Sequence, residues 1–257
     1  MKAGGPSGSP AFAVSGTKKR LRRRRRLRLA AASLILLAGL ALISYPFVSD
    51  WLNQRAQDAV SNTQQQTVAA LKPADLSAEK AKAEAYNAHL RDGSSRVVDP
   101  FDQDDASPGN DEYESVLNVA GDGVMAELII PSISVDLPIY HYTTEEPLSH
   151  GVGHVVNTSV PIGGDSTHSV LAGHTGLPTA RLFDRLDELK KGDWFIVRVL
   201  GEDHAYKVYS TEVVLPSEVD SLTTEEGRDL VTLVTCTPYG VLSLIHISEP
   251  TRHSLIS

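Results

Sequence analysis

Leu29–Val48 is a run of twenty residues without a charge, rich in Leu, Ala and Ile. That is the length an α-helix needs to cross a hydrocarbon core of about 30 Å. Gln54–Gln66 is polar and Gln-rich, and predicts a stalk helix with little to bury. In Ala74–Leu90, the residues Leu76, Ala83, Tyr86 and Leu90 share one helical face. Glu79 and Lys80 interrupt that face, so the helix is expected to pack lightly. Arg91-Asp-Gly-Ser-Ser ends it, and an acidic loop with Pro and Gly runs on to Asn110.

From Gly121 the rhythm turns to strands. Met125–Ile130 stops at Pro131, and Ile133, Val135, Leu137 and Ile139 alternate, with Pro138 predicting an edge position. Ser169–His174 reads as a short strand. Ala180–Leu189 predicts a short amphipathic helix with Leu182, Phe183, Leu186 and Leu189 on one side. Trp194–Leu200 and Ala205–Leu215 follow as strands between Gly-bearing turns. Val231–Cys236 is the last, stopped by Pro238 and Gly240. Short strands and only small helices predict an all-β barrel or sandwich.

Charge adds a direction. Residues 18–28 hold nine bases and no acid, and the first acid is Asp50. Ten of the 24 Lys and Arg precede Asp50, leaving 14 against all 32 acids, a net of −18 with His neutral. The apolar run directly after the basic cluster argues for a membrane anchor over nucleic-acid binding. Arg on that flank predicts a cytoplasmic N-terminus and an extracytoplasmic remainder. A cleaved signal would have an apolar core of about 7–15 residues and a small-x-small exit, and neither fits. Trp51 suits an interfacial anchor.

Cys236 is the only cysteine, so an internal disulfide is impossible. A single thiol at a strand end is either a small buried hydrophobe or a reactive group. An exported setting favours reactivity, because a spare thiol there is a liability. A thiol nucleophile needs a base or cationic partner and an oxyanion donor. His174 sits at the end of another strand, after Gly173, and is the candidate partner. His150 and His154 have i, i+4 spacing, but no helix and no third ligand support a metal, so they read as turn residues. No phosphate loop and no zinc pattern occur.

The stretch from Gly121 to Leu200, together with TLVTCTPYG at 232–240, resembles the core and the TLxTC nucleophile strand of class C sortases. The resemblance runs from about Tyr86 to Val241 and implies a closed sortase-type β-barrel with short helices. It implies that Cys236 forms an acyl-thioester and that His174 protonates and deprotonates. It also implies that Asp99, Pro100 and Phe101 are the lid motif of pilus-building sortases, the aromatic ring covering the cysteine. The implied reaction cleaves an LPxTG-type sorting signal between Thr and Gly. The acyl group then passes to a lysine amine of the next pilin. No cofactor or metal is implied. The implied partners are pilin subunits and the membrane of a Gram-positive cell, without nucleic acid.

The likeness stops at Val241. Ile245 stands where the family's catalytic Arg is expected, and Arg252, after Pro250 and Thr251, does not replace it. The tail resembles translated adapter sequence, and the family's common second membrane helix does not follow. The expected organisation is a basic cytoplasmic segment (1–28), a transmembrane signal-anchor (29–49), an extracytoplasmic helical stalk (50–95), a lid loop (96–115), a catalytic barrel lacking its last strand (116–241) and a non-native tail (242–257). The chain as written is expected to be inactive. An L,D-transpeptidase also places His before Cys, but puts Gly directly before the Cys, where Thr235 stands. A papain-like enzyme reverses the order. A membrane-tethered binding module without turnover is the non-enzymatic alternative.

Overall fold

The computed structural model describes residues 14–92, 101, 109–177, 180–214, 222–236 and 243–250, with the backbone alone for 14–24, 92 and 243–250. The chain falls into two units, with the boundary between Val48 and Ser49. Helix α1 (Val14–Ala70) carries the basic run, the apolar run and the polar segment in one continuous element. It is long and apolar enough to cross a membrane. Leu36 and Leu42 are 73% and 77% exposed, and an apolar surface of this extent is one that lipid would cover.

The polar end of α1 buries more than its composition suggests. Gln57, Ser61, Gln64 and Val68 are buried at helical spacing. Gln57 Nε2 donates to His150 O at 2.9 Å, Gln64 Nε2 to Val124 O at 3.2 Å, and Gln65 Nε2 to Glu127 Oε2 at 2.9 Å. The expectation of an unburied stalk is therefore corrected. Amide side chains satisfy backbone carbonyls beside strands, which hydropathy does not register. Helix α2 (Pro73–Asp92) starts on Pro73, where a missing N–H costs nothing. Ala83 and Tyr86 are buried, as their face predicts, and so is Asn87. Asn87 donates to Val160 O and accepts from Val160 N at 3.1 and 2.8 Å, a firmer attachment than light packing.

After α3 (Asp111–Ser115) come β1 (Val124–Ile130), β2 (Val135–His141), α4 (Glu145–His150), β3 (Val152–His154), β4 (Thr167–Ala172), β5 (Trp194–Val199), β6 (Glu202–Val214), β7 (Asp229–Cys236) and β8 (Ser243–Pro250). Their order is β1-β2-β3-β4-β7-β8-β6-β5, returning to β1. The β2–β3 and β4–β7 pairs are parallel and the others antiparallel. The return link is short, Glu127–Ile129 of β1 against Ile196–Arg198 of β5, and β3 meets β4 through only Gly153 and His154. The result is a mixed sheet nearly closed into a barrel, flanked by helices. Pro138 lies where β2 has no β3 neighbour yet, since that pairing starts at Ile139.

Leu128, Ile139, Leu171, Phe195, Val197, Tyr206, Val231 and Leu233 belong to the main core cluster. Leu148, Val155, Val170, Ala172, Leu230 and Val234 form a second. Strands β4 and β7 are thus buried on both faces, the usual condition of parallel neighbours. That accounts for the near-continuous apolar runs in both. Ala180–Leu189 is not a helix: only the 3-10 turn Leu186–Glu188 forms. Asp184 Oδ1 accepts from Gly176 N at 2.6 Å and Phe183 N donates to His174 O at 3.0 Å. These bonds hold the segment open while Leu182, Phe183, Leu186 and Leu189 still bury.

A strand does stand beside β7. Ser243–Pro250 pairs with β7 from Cys236↔Ser243 to Val231↔Ser248, and with β6 on its other side. Two neighbouring edges with unpaired N–H and C=O groups are a template that an extended, Ile-rich segment can fill. Pro250 occupies the strand's final position, where a lost donor matters least.

Candidate active site

Cys236 ends β7, and His174 lies two residues beyond the end of the adjacent parallel strand β4. The register pairs Ala172 with Val234. Two further residues along each strand bring His174 level with Cys236. The pairing extends one step past β4, because Gly173 N donates to Val234 O at 3.0 Å. Parallel strands point the same way, so both residues leave the same end of the sheet.

A chain of hydroxyls fixes these two strand ends. Thr235 Oγ1 donates to Gly173 O at 2.7 Å. Its oxygen lies 2.6 Å from Thr175 Oγ1, itself 3.2 Å from Phe183 O. Gly173 is required sterically: a Cβ there would stand 2.6 Å from Phe183 Cδ2. Sequence reasoning missed Thr175, Thr235 and the Gly173–Phe183 contact. The only signal was small polar residues beside His174 and Cys236.

His174 is half-buried, and burial pushes its imidazole below the usual histidine value, with Glu145 pulling it part of the way back. The neutral ring is therefore favoured at neutral pH, a form able to take a proton from a thiol. Cys236 is half-buried and outside any disulfide. Phe101 stacks on His174, ring centroids 6.1 Å apart and planes 24° apart, and it also packs against the second core cluster. Asp99 and Pro100 lie outside the described residues, as does Arg252.

Ile245 lies on β8 at the register position opposite Val234. Arg181, Arg185, Arg198 and Arg228 pair with Asp50, Glu188, Glu127 and Asp203, and Glu225 respectively. His150 and His154 do different jobs. His150 ends α4, and its carbonyl receives Gln57. His154 is not a turn residue: it is fully buried on β3, with Tyr113 Oη 2.7 Å from Nδ1 and Ser159 O 2.8 Å from Nε2. Among the described residues, no three His, Cys, Asp or Glu gather as metal ligands.

A near-closed mixed barrel with a thiol and an imidazole on adjoining parallel strand ends defines a class of thiol-bearing barrel domains. The sortase domain family model matches residues 128–246. Sortase C-1 from Actinomyces oris is 48% identical, with a TM-score of 0.65 over 70% of this chain and 100% of that one. Sortase C1 of GBS Pilus Island 1 is 34% identical, with a TM-score of 0.71 over 78% of this chain and 95% of that one. Sortase D of Bacillus subtilis is 29% identical over 113 residues, 44% of this chain and 54% of its own length. The chain thus spans about half the length of the curated relatives it matches. The chain belongs to the class C, pilus-related, sortase family.

Proposed function

We propose that this protein is a membrane-anchored cysteine transpeptidase that cleaves an LPxTG-type sorting signal between Thr and Gly. The Cys236 thiolate attacks the Thr carbonyl, and the leaving Gly amine takes a proton from His174. An acyl-thioester remains. A pilin lysine amine then attacks it, returns its proton towards His174, and leaves an isopeptide bond joining two subunits. Asp99, Pro100 and Phe101 act as a lid, with Phe101 limiting access to the thiol. The observation that supports this reading is the parallel β4–β7 register, whose two strands lead to His174 and Cys236 at one end of the sheet, with the Phe101 ring stacked on His174.

A second reading rests on Ile245. An aliphatic residue at the position where family resemblance calls for Arg offers no charged donor to the oxyanion. Losing one such donor typically costs about 10²–10³ in rate. The chain would then bind sorting signals with little turnover. Both readings are tested with a sorting-signal peptide, following the acyl-enzyme by mass spectrometry and peptide cleavage by chromatography. Cys236→Ala is expected to abolish the adduct, and His174→Ala to slow turnover by about 10²–10⁴. Ile245→Arg is expected to raise turnover by about 10²–10³. An adduct persisting in Cys236→Ala would refute the transpeptidase assignment. Full turnover with Ile245 in place would refute the second reading.

A further inference from the structure

The polar end of α1 runs along the barrel in a definite direction. Arg181 N donates to Asp50 Oδ1 at 3.2 Å, and Arg181 Nε lies 3.4 Å from Asp50 Oδ2. Further along α1, Gln57 reaches His150 and Gln64 reaches Val124. Val68 then stands 3.6 Å from where a Cβ on Gly201 would be. From Asp50 to Val68 is about 27 Å of helix. All these contacts lie within Ser49–Ser257, the second of the two units.

The two ends of this path fall at opposite ends of the sheet. Arg181 sits two residues before Phe183, whose N–H donates to His174 O and whose carbonyl accepts from Thr175 Oγ1. Gly176 N donates to Asp184 Oδ1. The segment that grips Asp50 is therefore tied to the residues beside His174. Gly201, by contrast, belongs to the turn between β5 and β6. Strand β8 is antiparallel to both β6 and β7, so β6 and β7 run the same way. Val214 at the end of β6 and Cys236 at the end of β7 both stand opposite Ser243. The turn ahead of Glu202 is consequently at the other end.

The foot of this path lies at the membrane. The uncharged run ends at Val48, and two residues of helix put Asp50 about 3 Å further along the axis. Trp51 is half-exposed, with Arg55 Cζ 4.0 Å from its ring centroid. An aromatic ring beside a cation, just past an apolar run, suits the headgroup level. We propose that the barrel end carrying His174 and Cys236 rests on the lipid surface. Helix α1 holds it there, with the Asp50–Arg181 pair at the foot. The partner is the headgroup layer of a phospholipid bilayer. The Arg181 side chain, 64% exposed beside Asp50, is placed among those headgroups. The opposite end, at Gly201, stands clear of the membrane. The proposal does not rest on the transpeptidase reading.

The test uses the full chain with a bimane fluorophore on Cys236, its only thiol, attached in detergent before reconstitution. The vesicles are phosphatidylcholine, with or without nitroxide-labelled headgroups, which quench the fluorophore at close range. A second protein carries the bimane at Glu202→Cys in a Cys236→Ser background. The fraction quenched on Cys236 is expected to exceed that at residue 202 severalfold. A third protein carries a polar helical insert, Glu-Gln-Lys-Glu-Gln-Lys-Gln, between Val48 and Ser49. The insert adds two turns, about 10 Å, and keeps the helical phase. It is expected to remove most of the quenching at Cys236. Equal quenching at the two positions, stronger quenching at residue 202, or quenching at Cys236 untouched by the insert would overturn the proposal.

Discussion

At the scale of single residues, the candidate site is held by groups whose value comes from position. Phe101 stacks on His174, the proposed partner of Cys236, so Phe101→Ala is expected to speed alkylation of the thiol several-fold by opening access. An unchanged rate with a small maleimide would show that the ring is surface packing. The pair His174 and Cys236 was legible because each follows an apolar run and one is the chain's single thiol. The hydroxyls of Thr175 and Thr235 were not, because their bond joins residues sixty positions apart. His154 was misread for a related reason. Without a helix or a third ligand to support a metal it reads as a turn residue, yet Tyr113 and Ser159 take both its ring nitrogens inside the core. With Ser159 O accepting at Nε2, Nδ1 is the acceptor for the Tyr113 hydroxyl, a neutral tautomer. Burial pushes His154 down to about 3 from 6.5. Because the folded value is the lower one, the unfolded chain takes up the proton first as pH falls. The stabilising contribution is complete above pH 6.5 and is lost from there down towards pH 3. At 1.36 kcal/mol per pH unit it is on the order of 5 kcal/mol. Chemical denaturation across that window should show a shallower pH slope in His154→Gln. An identical slope would rule out a neutral buried ring.

Elements show which forces sequence patterns register. Alternating apolar residues located most strands, because burial on a sheet face has the same period as the chain. Where burial is on both faces, as in β4 and β7, the apolar runs still marked the strands but did not reveal the second cluster. Helix α2 shows the opposite case. Its apolar stripe of Ala83 and Tyr86 predicted the buried face but not what fastens it, since Asn87 reads as a surface residue. Both backbone groups of Val160 are satisfied by that one amide. Replacing it with Leu keeps the volume but orphans the buried Val160 N–H, at about 1–3 kcal/mol, while Val160 O keeps its bond from Ile162 N. Asn87→Leu should therefore lower the thermal midpoint by several degrees. Equal midpoints for Leu and wild type would show that α2 docks through apolar contact alone. The same logic explains β8. A ladder is made by backbone groups, so two open edges constrain side chains weakly, and Ser243–Pro250 pairs with both β7 and β6.

For the whole molecule, charge and hydropathy organise the chain before any tertiary contact does. Nine bases lie at 18–28, twenty uncharged residues follow at Leu29–Val48, and every acid lies from Asp50 onward. Helix α1 runs through all three zones without a break, although Pro46 falls inside it. An Arg cluster beside a membrane-length run sets which side stays in the cytoplasm, because translocating many guanidinium groups opposes both the hydrocarbon barrier and the membrane potential. A long following domain translocates largely regardless of its own charge, so the Arg cluster decides. This fixes an expected orientation: the N-terminus inside, and Ser49–Ser257 outside. In cells carrying the chain with an epitope tag at each end, external protease should remove the C-terminal tag and leave the N-terminal tag on a fragment ending near Asp50. Replacing six of the Arg at 20–28 with Glu should weaken or invert that pattern, while Lys in their place should preserve it. Protection of both tags in intact cells, with digestion only after lysis, would refute the orientation.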